Sequence, residues 1–189
     1  VHGCLEALRG LLREAGLVDA DGAWCGADAR LWLVGDLVDR GPDGIGVIDL
    51  VRSLQEAGDV RCLLGNHEPL LLGALRFGDL PAGGPTGTFR DLWSLNGGRP
   101  GDIERLTPDR AAWLESLPAL GLDGDVLVVH ADSGAYLRYG RTIDAVNAAV
   151  AEAVSGDDAG ALLALLDGMS DRFALADPAV VDAMLGTFG

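Results

Sequence analysis

A chain of 189 residues with 49% hydrophobic residues is long enough to bury one core, and no apolar run reaches the length that crosses a membrane. Its 29 acidic residues outnumber the 14 basic ones, all of them arginine, and the net charge of −15 argues against nucleic-acid binding, which needs a basic face. The three cysteines lack the spacing of zinc or redox motifs, so we expect free thiols in a reducing compartment, the cytoplasm.

The first segment is predicted to be a loop followed by a helix. Val1–Cys4 contains a histidine and a glycine. The leucines that follow are spaced as on one face of a helix, at Leu5, Leu8, Leu11 and Leu12. His2 should therefore lie in a strand-to-helix loop.

A β-α-β unit is predicted next. Leu31–Val34 and Val60–Leu64 are apolar runs of strand length, and residues 45–57 between them carry apolar side chains at helical spacing. Strands joined in this way run parallel, so the loops that leave them, 35–41 and 65–68, should meet at one carboxyl edge of the sheet. Open α/β folds place their ligand sites at this edge.

These two loops hold side chains that suit metals and phosphate. Asp36, Asp39, Asn66 and His67 offer carboxylate, amide and imidazole ligands, a set that suits divalent manganese, iron or zinc. Arg40 adds a planar guanidinium that can bind two phosphate oxygens. Each residue alone has an ordinary structural explanation, such as a helix cap or a turn. Their combination with glycines at the ends of two strands favours a functional site.

The stretch from Gly78 to Gly101 is rich in glycine and proline and carries a short apolar face. The residues of that face are Phe89, Leu92, Trp93 and Leu95. Residues 78–101 are interpreted either as a cap segment that shapes substrate choice or as an ordinary surface connection packed by Trp93. The sequence leaves both interpretations open.

The rest of the chain is predicted to contain helices and one hairpin. A helix is expected from its capping residue Thr107 to about Leu117. Residues 120–125 resemble a hairpin turn, and the strand Val126–Val129 after it delivers His130 to a loop. Further helices are predicted at residues 142–154, 157–166 and 177–185.

Two of these motifs resemble the signatures of a known family. Gly35–Gly41 and Gly65–Glu68 are similar to the second and third signatures of the phosphoprotein phosphatase branch of the calcineurin-like metallophosphoesterases. Val1–Cys4 resembles the end of the first signature, Asp-x-His-Gly, and His130 stands where the fourth signature has a histidine. The resemblance extends to about Arg172.

This resemblance implies the metallo-dependent phosphatase fold as a single domain over residues 1–189. That fold is α/β, with a β-sandwich core of mixed sheets flanked by helices and built from β-α-β units. The resemblance also implies two divalent metal ions, manganese or alternatively iron or zinc, that activate a water molecule. The residues at the family's metal-ligand positions are His2, Asp36, Asn66 and His130.

The resemblance also implies roles for the residues that meet the substrate. Arg40 and Asn66 would bind the phosphate, and Arg172 lies at about the place of a second phosphate-binding arginine. His67, oriented by Asp39, would protonate the leaving oxygen as a general acid.

Some features depart from the family pattern. The chain begins after the aspartate of the first signature and stops at Gly189 before the family's last metal-binding histidine. We therefore expect a fragment that lacks these two ligands and the strands that carry them. Asp132 stands where the family often has glycine, and it would either support the metal site or narrow access to it. Glu68 is expected to hold its loop.

The function implied by the resemblance is a metal-dependent phosphomonoesterase of the Ser/Thr protein phosphatase type, acting on a phosphorylated protein or a small phosphate ester. A symmetrical diadenosine-tetraphosphate hydrolase, or another nucleotide phosphatase, is the alternative, although its second signature usually lacks the aspartate found here as Asp39. RNA-end phosphatases of the superfamily commonly have aspartate where Glu68 stands. A catalytically dead binding module is a further alternative, against which the joint presence of Arg40, Asn66 and His67 argues. The fold alone does not fix the substrate.

Overall fold

The secondary structure consists of short strands and many helices. The structure, a computed structural model, describes residues 1–84, 87–170 and 173–188. The strands in these ranges are β1 (Arg30–Leu33), β2 (Asp59–Cys62), β3 (Leu120–Asp123) and β4 (Val126–Val129). The α-helices in the same ranges are α1 (Leu5–Glu14), α2 (Gly44–Ala57), α3 (His67–Arg76), α4 (Phe89–Leu95), α5 (Pro100–Arg105), α6 (Pro108–Glu115), α7 (Ile143–Ser155), α8 (Ala159–Met169) and α9 (Pro178–Phe188).

The predicted β-α-β unit is present. β1 pairs with β2 in parallel, with Leu31 opposite Val60, and α2 is the crossover helix between them. Asp43 caps α2, because its Oδ1 accepts a hydrogen bond from the backbone N–H of Gly46 at 2.9 Å. The buried face of α2 includes Ile45, Ile48, Val51 and Leu54. The loops that follow β1 and β2 therefore leave the same edge of the sheet.

The predicted hairpin is formed by β3 and β4. The two strands are antiparallel, with Leu120 opposite Val129, and Gly124 in the turn has a φ of 63°. The hairpin packs against the first sheet at Gly121, where an added Cβ would lie 2.3 Å from the ring of Trp32. One parallel and one antiparallel sheet are thus flanked by helices, in agreement with the predicted α/β fold.

Helix α3 lies within the core. Every residue from His67 to Ala74 is buried, and the helix packs against α4 and α8. Phe89 and Trp93 of α4 are also buried. Burial of side chains of this size stabilises the fold by roughly 1.5–3 kcal/mol each. Core packing therefore fixes the position of His67, the first residue of α3.

The helix boundaries agree with the predicted ones to within a few residues. Helix α6 ends at Glu115, two residues before the predicted end, because Pro118 disfavours helical geometry in the residue before it. The helices predicted in the last third of the chain are α7, α8 and α9. Within residues 1–84, 87–170 and 173–188, no helix is long and apolar enough to cross a membrane.

Candidate active site

The loops that follow β1 and β2 touch each other through two glycines. An added Cβ at Gly35 would lie 2.2 Å from the backbone nitrogen of Gly65, and one at Gly65 would lie 2.3 Å from the backbone nitrogen of Asp36. Gly35 also has a φ of 88°, which side chains rarely adopt. These two positions must therefore be glycine for the loops to approach this closely.

Glu68 ties the two loops together. Its buried carboxylate accepts hydrogen bonds from the backbone N–H groups of Gly65 at 2.7 Å, Leu37 at 2.7 Å and Asp36 at 3.1 Å. Burial raises the pKa of the Glu68 carboxyl, and the nearby charge of Asp36 acts in the same direction. The contacts agree with the structural role predicted for Glu68.

Replacing Glu68 by glutamine is expected to destabilise the fold by about 1–3 kcal/mol. Both carboxylate oxygens accept from backbone N–H groups, so the amide NH₂ of glutamine would face at least one donor and leave it unpaired. Urea unfolding measures the loss, with Glu56→Gln on the exposed side of α2 as the matched control. A stability equal to that of the control would contradict this role.

The Asp36 carboxylate lies between two imidazoles. Its Oδ2 is 3.4 Å from Nε2 of His2, and its Oδ1 is 3.4 Å from Nε2 of His130. Asp36 Oδ1 also accepts a hydrogen bond from the backbone N–H of His67 at 3.3 Å. One carboxylate thus presents an oxygen to each of two histidines that lie far apart in the sequence.

His130, which contacts Asp36, also contacts Asn66. Nε2 of His130 is 3.1 Å from Oδ1 of Asn66. On the opposite side of the ring, Nδ1 of His130 lies 2.5 Å from the carbonyl oxygen of Val34, to which it can only donate. Nδ1 therefore carries a proton, and Nε2 points toward the oxygens of Asn66 and Asp36.

His2 is held in place by the backbone of the loop after β1. Its N–H donates to the carbonyl of Asp36 at 2.7 Å, and its carbonyl accepts from the N–H of Gly41 at 2.8 Å. An added Cβ at Gly41 would lie 2.2 Å from the His2 carbonyl oxygen, so glycine is required here too. Burial lowers the pKa of His2 and outweighs the opposing effect of Asp36, which favours the neutral imidazole that a metal ligand requires.

Asp39, His67 and Trp93 form a buried hydrogen-bonded row. Nδ1 of His67 lies 2.8 Å from Oδ2 of Asp39, and the indole N–H of Trp93 donates to Oδ1 of Asp39 at 2.7 Å. All three side chains are buried. With both oxygens of Asp39 engaged, its carboxylate fixes the orientation of the imidazole. The sequence predicted the Asp39–His67 pair but not the contact with Trp93.

Arg40 lies between His2 and His67 and contacts both imidazoles. Its guanidinium lies 3.0 Å from Nε2 of His2 and 3.1 Å from Nε2 of His67. Because a guanidinium only donates, both imidazole nitrogens accept. The backbone of Arg40 is held from the segment after α4, since its N–H donates to Gly97 O at 2.8 Å and Arg99 Nη2 donates to its carbonyl at 2.7 Å. Gly97 and Arg99 were not among the residues predicted from the sequence to belong to the site.

Several residues of the site have strained backbone conformations. His2, Asp36, Asp39 and Arg40 all have φ between 48° and 65°, in the left-handed region that residues with a side chain seldom occupy. Such conformations persist where surrounding contacts over-determine them, and they cluster at functional sites. The backbone contacts of His2, Asp36 and Arg40 described above provide that constraint.

The side chains open onto a cleft of about 460 Å³. Asp132 at its edge does not point a free carboxylate at the site, because its oxygens accept from the backbone N–H groups of Phe173 at 3.0 Å and Leu175 at 2.6 Å. Asp132 thus holds the neighbouring segment in place. Arg172, the predicted second phosphate ligand, lies outside the described residues. The described residues lining the cleft are Asp36, Arg40, Asn66, His67, Asn96, His130, Ala131, Asp132, Met169, Ser170 and Phe173.

The donor set fits divalent metal ions. Donor atoms bound to one ion at about 2.1 Å lie roughly 3.0–3.4 Å apart, and the contacts of Asp36 with His2 and His130 fall in this range. His67 also has a ligand atom within 4.8 Å of His2 and Asp36. Its two nitrogens, however, face Asp39 and Arg40, so the ring is already engaged on both sides.

Comparison with known proteins points to one family. The model of the family described as calcineurin-like phosphoesterase matches residues 1–161. The symmetrical bis(5'-nucleosyl)-tetraphosphatase of Pectobacterium carotovorum is 35% identical over 134 residues, which is 71% of this chain and 41% of that protein. The protein of the same name from Aromatoleum aromaticum is 31% identical over 180 residues, or 91% of this chain and 56% of its own length. The chain thus spans about half the length of these curated relatives.

A solved structure has a similar fold. The cold-active protein-tyrosine phosphatase of a Shewanella species superimposes with a TM-score of 0.69 and 25% sequence identity. The match covers 98% of this chain and 59% of that one. The similarity therefore extends over nearly all of this chain, including both sheets.

Proposed function

Because the chain belongs to the calcineurin-like phosphoesterase family, we propose that it is a metal-dependent hydrolase of nucleoside polyphosphates such as diadenosine tetraphosphate. The observation that carries the phosphoesterase assignment is the Asp36 carboxylate between two imidazoles. The names of the curated relatives support the nucleotide substrate. This reverses the order that the sequence suggested, in which a Ser/Thr protein phosphatase came first.

The presence of Asp39 in the second signature favoured a protein phosphatase when only the sequence was considered. The contacts of Asp39 in the structure do not favour either substrate. Its buried carboxylate accepts hydrogen bonds from His67 and Trp93 and thereby orients the His67 ring. An acid positioned in this way can take part in hydrolysis of a phosphoanhydride or of a phosphoester. The choice of substrate must therefore depend on groups other than Asp39.

His2, Asp36, Asn66 and His130 would hold two divalent ions, with the Asp36 carboxylate lying between the two imidazoles. Their nitrogen and oxygen donors suit manganese, which we propose as the metal, as well as iron or zinc. Such ions supply a water of lowered pKa and neutralise charge on the phosphate. The protein's part is to hold the imidazoles and the carboxylate in place, and the contacts of His130 with Val34 and of His2 with Gly41 support this.

Arg40 is the proposed phosphate-binding residue, with Asn66 beside it. The guanidinium donates to two neutral imidazoles in the free protein. An anionic phosphate is a stronger acceptor than either, and the planar guanidinium can bind two of its oxygens. Substrate binding would therefore draw Arg40 away from His67 and free that nitrogen. Arg172 remains a proposed second phosphate ligand.

His67 is the proposed general acid. Once Arg40 turns to the phosphate, Nε2 of His67 can carry a proton and face the leaving oxygen. The Asp39 carboxylate accepts from Nδ1 and holds the ring in the orientation that an acid requires. Residues 78–101 are proposed to cap the cleft on this side, since Asn96 lines it and Gly97 and Arg99 hold Arg40.

The function is tested by assaying the full natural chain with Mn²⁺ on diadenosine tetraphosphate. We expect turnover that depends on the metal and yields two ADP per substrate, as symmetrical cleavage requires. Formation of ATP and AMP would exclude symmetrical cleavage. No turnover of any phosphate compound by metal-loaded protein would support the catalytically dead binding module instead.

A protein phosphatase is the second candidate. The observation that favours it is the match to a solved structure named as a protein-tyrosine phosphatase. Peptides carrying phosphotyrosine or phosphoserine, assayed beside diadenosine tetraphosphate, discriminate between the candidates. Turnover of a phosphopeptide with a higher kcat/KM than that of the dinucleotide would overturn the first proposal.

A further inference from the structure

Phe173 has an unusual position and conformation. Its side chain is 77% exposed, more than any other large apolar side chain in the described residues. Its φ of 67° is in the left-handed region, which is unfavourable for an aromatic residue. An exposed aromatic ring and a strained backbone both reduce the stability of the fold. A role in packing alone therefore does not explain the conformation of Phe173.

The strained conformation is held by Asp132. The two carboxylate oxygens of Asp132 accept separately from the N–H of Phe173 and the N–H of Leu175. Asp132 comes two residues after His130, in the loop that follows β4. The backbone of Phe173 is therefore tied to the same loop that carries a proposed metal ligand, so its ring has a defined place relative to the site.

The ring lies at the edge of the cleft that contains Asp36, Asn66 and His67. Most of the lining is polar, and Phe173 contributes the one phenylalanine, tyrosine or tryptophan ring among the described lining residues. One large flat apolar surface thus borders a cleft whose other groups suit phosphate and metal ions.

We propose that Phe173 is a platform on which a nucleobase of the substrate stacks while its phosphates occupy the cleft. The proposal rests on the proposed function, and it names the group that selects a nucleotide over a simple phosphate ester. Stacking on an aromatic side chain is tolerant of base identity, because every base has a π face. Adenine and guanine nucleotides should therefore both be accepted.

A heterocycle fits this surface better than a peptide does. An extended peptide is recognised through backbone hydrogen bonds and a row of pockets for alternate side chains. The described rim offers a single ring, next to the polar side chains of Asp132 and Ser170. A single flat group on the substrate matches it, with the phosphate chain extending toward Arg40.

The test compares ADP and inorganic pyrophosphate as inhibitors of aryl phosphate hydrolysis by the full natural chain with Mn²⁺. In Phe173→Ala the inhibition constant of ADP is expected to rise about 5- to 20-fold, while that of pyrophosphate and the kcat for aryl phosphate stay unchanged. Phe173→Trp should restore or tighten ADP inhibition. Leu11→Ala, which removes another exposed apolar side chain on α1, is the matched control and should change neither constant.

The outcomes separate this proposal from the proposed function. Unchanged ADP inhibition in Phe173→Ala, or an equal change for ADP and pyrophosphate, would overturn the stacking role even if diadenosine tetraphosphate is hydrolysed. A selective loss of ADP inhibition would support it even if the dinucleotide is not a substrate. A rise in KM for a phosphotyrosine peptide without any effect on ADP would assign the ring to a peptide instead.

Discussion

Asp36→Asn is expected to lower kcat by about 10³-fold or more, equivalent to about 4 kcal/mol of lost transition-state stabilisation. The carboxylate presents one oxygen to His2 and one to His130, so the amide would replace one anionic oxygen by an NH₂ group that cannot bind a cation. The amide has nearly the same size, so the effect should lie in metal binding and turnover and not in packing.

Metal analysis and kinetics together check this expectation. The full natural chain is loaded with Mn²⁺, and bound metal per protein is measured beside the turnover of diadenosine tetraphosphate. Asp36→Asn should bind fewer ions than the native chain, whereas Asp125→Asn in the exposed β3–β4 turn should match the native chain in both measurements. Full metal content and near-native turnover in Asp36→Asn would refute the role of Asp36 as a metal ligand.

His67→Asn is expected to affect substrates according to their leaving groups. For an alkyl phosphate, whose leaving oxygen needs a proton, kcat should fall by about 10²- to 10⁴-fold. For an aryl phosphate with an acidic phenol, the fall should be within about tenfold, since the leaving group departs as an anion. Diadenosine tetraphosphate should resemble the aryl phosphate, because its leaving group is a phosphate.

The measurement is the dependence of log kcat on leaving-group pKa, which should be steeper in His67→Asn than in the native enzyme. Metal content should stay unchanged, since His67 is engaged by Asp39 and Arg40. Asp39→Asn should give the same pattern with a smaller effect, because the amide cannot accept from both His67 and Trp93. Equal losses across all leaving groups would exclude the general-acid role.

Local patterns were sufficient to predict the β-α-β unit and the meeting of its two loops. Two apolar runs of strand length on either side of a segment with helical apolar spacing are compatible with few arrangements other than a β-α-β unit. Parallel pairing of the two strands then brings Asp36 and Asn66 to one edge of the sheet. His130 was predicted at a strand end, and β4 delivers it there. The predictions were confirmed where the spacing of apolar residues and the position of a turn determine where a side chain lies.

Contacts between segments that are distant in the sequence could not be predicted from local sequence patterns. Nothing in the sequence around Trp93 indicates that its indole bonds to Asp39, because the packing of α3 against α4 sets that geometry. The same holds for Asp132, whose two alternative roles the sequence left open and whose oxygens turn out to hold Phe173 and Leu175. Such contacts depend on tertiary packing, which side-chain periodicity does not encode.

The left-handed residues of the site have a consequence for attempts to make this protein more heat-resistant. His2, Asp36, Asp39 and Arg40 each hold a conformation that costs on the order of 1–3 kcal/mol. At His2 and Arg40, which are not buried, glycine would relax the backbone and raise the melting temperature, whereas at the buried Asp39 it would leave the hydrogen-bond donors of His67 and Trp93 unpaired. Selection for thermal resistance alone would thus favour losing the functional side chains of His2 and Arg40. Libraries aimed at heat resistance should leave these four positions fixed and seek stability in the core or on the surface.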